Sequence, residues 1–115
     1  MDDKEITAVE ELVHTGTRKA GRLAVLAEKL GWRQFEDTEE TARLVRVLLE
    51  DVPVAIGAQK TVENAWRRIA AAAENGTGEE ALAKAVQQLE ETAHLTQEAL
   101  DDVHGDMVKL AGLAK

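Results

Sequence analysis

Residues 79–114 read EEALAKAVQQLEETAHLTQEALDDVHGDMVKLAGLA. Within them Leu82, Val86, Leu89, Ala93, Thr96, Leu100, Val103, Met107, Leu110 and Ala114 follow strict steps of four and three. That spacing places all of them on one helix face, at the a and d positions of a heptad. Thr96 is the one polar member. A single long amphipathic helix is the expectation. Gly105 and Gly112 have poor helix propensity, so fraying of the last turns is expected.

The same rhythm extends toward the N-terminus. Asn75-Gly76-Thr77-Gly78 precedes this helix and reads as a turn, because Asn-Gly favours positive φ. Thr77 with Glu80 forms a capping box. From about Glu39 to Glu74 the seam is Val45, Leu48, Val52, Ala55, Gln59, Val62, Trp66, Ile69 and Ala73, flanked by Leu49 and Ile56. Pro53 lies inside it. A proline there removes one donor and crowds the carbonyl of Leu49. The phase nevertheless continues across it, which favours one long helix kinked near Pro53 over two helices meeting at a corner.

The first stretch has Ile6, Val9, Val13, Gly16, Ala20, Leu23, Ala27 and Leu30 on its seam, widened by Leu12 and Leu26. Gly16 and Ala20 are small, and are expected to leave a shallow groove for another helix. Gly31 reads as a C′ glycine that closes this helix. Asp37 or Thr38 then caps the next one, and Asp37 with Glu40 has the spacing of a capping box.

These readings make the chain all-α and a single domain over residues 1–115. The architecture expected is an antiparallel up-down-up bundle of three long helices, or four if Pro53 breaks the second. The helices would have about 27, 36 and 37 residues, or roughly 40 to 55 Å. Composition agrees: hydrophobic residues are 44%, aromatics 3%, with one Pro and no Cys or Tyr. The lack of Cys excludes a disulfide framework, a thiolate metal site and a Cys nucleophile.

Charge narrows the function classes. The net charge is −8, and it accumulates beyond residue 35. An acidic surface repels phosphate backbones, so no nucleic-acid partner is expected. No apolar run approaches the roughly 20 residues that span a bilayer, so no membrane role is expected. Met1-Asp2-Asp3-Lys4-Glu5 lacks the apolar region of a signal peptide; a cytoplasmic location is expected, with signal-less secretion as the alternative.

Three acid–histidine pairs share one spacing: Glu11 with His14, Glu91 with His94, and Asp101 with His104. Glu-x-x-His is the ligand pair of di-iron bundles, where the ligands project inward. Here Glu11 and Glu91 fall at f, His14 and His94 at b, Asp101 at b and His104 at e. These positions face largely outward, so ordinary surface pairs are expected, with no metal and no cofactor. His14, followed by Arg18, Lys19 and Arg22, has the ingredients of a phosphoryl acceptor. In architecture the chain resembles histidine phosphotransfer domains, whose Lys and Gly, three and four residues past the histidine, are replaced here by Thr17 and Arg18. Leu26 to Trp32 resembles the first helix and turn of a helix-turn-helix. The following segment would carry Glu36, Asp37, Glu39 and Glu40 toward phosphates, which argues against it. In size and helicity the chain resembles small secreted helical hairpins with a Trp-x-Gly turn. Its own turn reads Gly31-Trp32-Arg33.

No nucleophile–base order, phosphate loop or dinucleotide fingerprint is present. The expected function is therefore a non-enzymatic helical protein–protein interaction module, self-associating as a homodimer. Trp32, Phe35, Leu49 and Ile56 are the candidate partner-binding residues. Leu49 and Ile56 widen the second seam. Trp32 and Phe35 flank the first connection, either as a plug for the bundle end or as an exposed anchor; the plug is the reading that residue type favours.

Overall fold

A computed structural model describes residues 3–76 and 78–115 of the chain. Four α-helices follow in order: α1 (Asp3–Gly31), α2 (Glu39–Arg46), α3 (Val52–Glu74) and α4 (Glu79–Gly112). A π-helical turn, Val47–Asp51, joins α2 to α3 without a corner. The second rod is therefore continuous from Glu39 to Glu74, and the bundle is all-α with three long helices. α1 packs on α4 and on α3, and α3 packs on α4. The rod measures 57 × 19 × 17 Å.

The π turn accommodates Pro53. In an α-helix its ring would press on the Leu49 carbonyl, and it has no N–H to give. A wider turn relieves that crowding, and the Val52 N–H accordingly reaches Val47 O, five residues back. One extra residue is held in that turn. It shifts the buried face of α2 relative to α3. Leu44 and Thr41 are buried, whereas Val45, the seam position expected from unbroken phase, is only half buried. Replacing Pro53 with Ala should leave the fold intact and helicity equal or slightly higher. Burial of Leu44 and Thr41 should hold the π turn without the proline, because a regular α turn would rotate α2 by about 100° and turn Leu44 out of the core. Far-UV circular dichroism and a melting curve check this; a collapse of stability would mean that the proline itself sets the junction.

The helix ends correct several local expectations. Thr38, not Asp37, caps α2: its hydroxyl accepts from Thr41 N at 3.1 Å. Glu40 pairs with Arg43 instead of reaching back, and that guanidinium holds its carboxyl below the usual carboxylate range. This pairing favours the fold above the ordinary carboxylate pKa and fades as pH falls through the lowered value. Gly31 is the last helical residue and not a left-handed cap. The end of α1 closes through Trp32 N to Lys29 O and Arg33 N to Leu30 O. Gly76 does take positive φ, 71°, as the Asn-Gly pair predicts. The capping pair expected at Thr77 and Glu80 lies outside the described residues.

α4 continues through Gly105 to Gly112, with Met107 and Leu110 fully buried. Phe35 and Ala114 then form a single antiparallel bridge, and Lys115 N donates to Gln34 O at 2.9 Å.

The core has two apolar clusters. One holds Val9, Val13, Val62, Val86, Leu89 and Ala93. The other holds Leu23, Leu30, Leu44, Val52, Ala55, Leu100, Met107 and Leu110. Gly16, Gln59, Thr96 and Gln97, all buried, lie between these groups along the helices. Gln59 Nε2 donates to Val13 O at 3.1 Å, and Gln97 Nε2 donates to Leu12 O at 2.8 Å. Neighbouring carbonyls of α1 are thus held from two sides. Sliding α3 or α4 by one turn would leave its buried amide without that acceptor, at about 1–3 kcal/mol per group. The space beside Gly16 is not an open groove. A Cβ built there would overlap the Gln59 amide, 2.7 Å from Cδ and 2.8 Å from Nε2.

Candidate interaction surface

The four residues expected to bind a partner do not form one surface. Phe35 and Ile56 are half buried and pack on the larger core cluster. Phe35 is the plug. Its bridge to Ala114 closes the end where α1 and α4 both finish. Trp32 is not a plug: it is 86% exposed, just past the tightened last turn of α1. That turn fixes the direction of the backbone and leaves the indole outside, while the C-terminal tail takes the place over the core that the indole was expected to fill. Leu49, in the π turn, is 70% exposed. Leu12 and Leu26, the other stripe-widening residues, are half buried against the two clusters. The excess stripe inferred from sequence is therefore mostly absorbed within the chain.

Other apolar side chains do stand outside. Val54 is 72% exposed and Leu95 66%. Val25 and Val108 flank a shallow groove between α1 and α4 that also meets Arg22, Lys29 and His104. A deeper groove of about 490 Å³ runs between α3 and α4. Val62, Ile69, Leu82 and Leu89 line it beside Ala65 and Ala85, and no residue of α1 takes part. The exposed positions among these were not singled out by the heptad reading, since they lie beside the main seams.

The histidines remain on the surface. His14 and His94 are exposed and His104 is half buried. Asp101 pairs with Lys19 at 2.8 Å across the α1–α4 contact, so it serves helix packing. Arg18, one of the bases near His14, donates to Thr15 at 3.1 Å. Among the described residues no group of three or more His, Asp or Glu side chains is placed to hold a metal ion. No described helix is long and apolar enough to cross a membrane.

Comparison of the chain with protein-family models, curated proteins and solved structures finds no match.

Proposed function

We propose that this chain is a non-enzymatic helical interaction module that associates with itself. The observation that carries the reading is the apolar surface left outside a slender rod: Trp32, Leu49, Val54 and Leu95 are all mostly exposed. The shape supports it. The radius of gyration is 17.4 Å, against about 13 Å for a compact domain of this length. The accessible surface is 7510 Å², whereas a compact monomer of this mass exposes about 6,200 Å². Association between rods recovers part of that difference by burying apolar area, at about 25 cal/mol per Å².

The opposing term is the net charge of −8, which repels identical subunits. Salt screens that repulsion and leaves the apolar contribution in place. The dimer should therefore tighten as ionic strength rises. Sedimentation equilibrium at several concentrations and two salt levels reads this directly. A 12.5 kDa species under every condition would overturn the self-association.

A further inference from the structure

The groove between α3 and α4 belongs to a second seam, beside the core, that shares only Ala65 with the smaller core cluster. On α3, Val54, Ala58, Thr61, Ala65, Arg68 and Ala72 follow steps of four and three. On α4, Ala81, Ala85, Gln88, Thr92, Leu95 and Ala99 do the same. Each set lies within about 40° of one line on its helix, and that line is about 110° around from the core seam. Arg68 is the only charged residue in either set. In a chain with 31% charged residues, a face this neutral runs along two adjacent helices. Its floor is supplied by Val62, Ile69, Leu82 and Leu89.

We propose that this groove is the two-fold interface of a homodimer, in which α3 of each copy lies against α4 of the other. The proposal rests on the self-association above and specifies its face. The occupant follows from charge. α3 carries Arg68 in the seam and Lys60 and Arg67 further around its outer side, with Glu74 at its C-terminal end; its Glu63 is turned to α1, where it accepts from Thr17 at 2.9 Å. Beside its seam α4 carries Glu80, Glu91, Glu98 and Asp102 against Lys84. A two-fold axis that sets α3 on α4 brings a basic edge to an acidic edge twice. An axis that sets α3 on α3 would bring like charges together. A second copy therefore carries the complement this face requires.

Shape and area agree. Alanines at 58, 65, 72, 81 and 85 let helices approach closely, and the valine and leucine at the far end supply bulk. From Val54 to Ala72 the face is about 27 Å long. Across the 19 Å width of the rod it projects to roughly 500 Å² per copy, or about 1,000 Å² in total before its relief is counted. That meets the lower limit of about 1,000 Å² for a specific interface.

Two exposed residues test the pairing without touching the core. Thr61 and Thr92 bond back to their own helices, at Gly57 O and Gln88 O. Thr61→Glu adds an acid to α3, facing the acidic helix of the other copy. Thr92→Arg adds a base to α4, facing the basic helix. Each variant should dimerise at least tenfold more weakly, with helicity and melting temperature of the diluted monomer unchanged. An equimolar mixture of the two should recover the dimer, because the heterodimer sets the acid introduced in one chain against the base introduced in the other. Loss in each variant with recovery on mixing supports the arrangement. A variant that stays dimeric, or a mixture that stays monomeric, overturns it while self-association itself stands. A parent chain that is monomeric under all conditions removes the self-association and this interface together.

Discussion

Truncating Leu100 to Ala should destabilise the bundle by about 2–5 kcal/mol, toward the upper end of that range. Leu100 is fully buried, among Leu23, Val52, Ala55 and Met107 in the larger cluster. The loss has two parts. Removing the apolar atoms forfeits their transfer free energy, and the surrounding helices cannot close the hole they leave. Closure is resisted here because residues of α1, α3 and α4 all pack around the site. Lys19 and Asp101 hold α1 to α4 next to Leu100, and the Gln59 and Gln97 bonds lie one layer away. Leu89→Ala should cost less. Leu89 is buried too, but it forms part of the wall of the α3–α4 groove, so the site opens toward solvent and can relax. At about 4 °C per kcal/mol for a domain near this size, the two variants should melt well below the parent and differ visibly from each other. Two melting points within a degree of the parent would mean that the third seam is not the core.

The bundle was legible because its seams are long and apolar. Leu82, Val86, Leu89, Leu100, Met107 and Leu110 are all buried, as their spacing predicts. The junction at Pro53 was half legible. Periodicity showed that the helix continues, but a π turn holds one more residue than an α turn. The unbroken count therefore puts Val45 where the structure buries Leu44. Trp32 was not legible, because residue type argues for burial in general and says nothing of where one short loop points. The C-terminal tail misled in another way: Ala114 keeps the helical spacing, but α4 ends at Gly112 and Ala114 bridges to Phe35 instead. The α3–α4 groove escapes a reading based on apolar contrast, since Ala, Thr and Gln at 3–4 spacing look like an ordinary solvated face. The usable signal is the shortage of charge along it. Gln97 escapes for a related reason: it lies one residue past Thr96, off the a/d line, and is buried only because Leu12 O is there to receive it.

The pairing of Gly16 with Gln59 gives the second large effect, and its sign depends on background. Gly16→Ala alone sets a methyl group against the Gln59 amide, which occupies that space. The amide must move, and its bonds to Val13 O and Thr17 Oγ1 are lost. A buried amide left unpaired costs about 1–3 kcal/mol. Alanine returns roughly 1 kcal/mol of helix propensity over glycine, so the net change is destabilising by up to about 2 kcal/mol. Gln59→Ala removes the obstacle. It also removes Oε1, which is buried without a hydrogen-bond partner, but it leaves a cavity beside Gly16 and is itself destabilising. In that background Gly16→Ala partly fills the cavity and keeps its propensity gain. The same substitution should then stabilise by about 1 kcal/mol. Denaturant unfolding of the parent, both single variants and the double variant measures the coupling directly. Effects of Gly16→Ala that agree in sign, and within about 0.5 kcal/mol, across the two backgrounds would show that the glycine is not there to admit the glutamine.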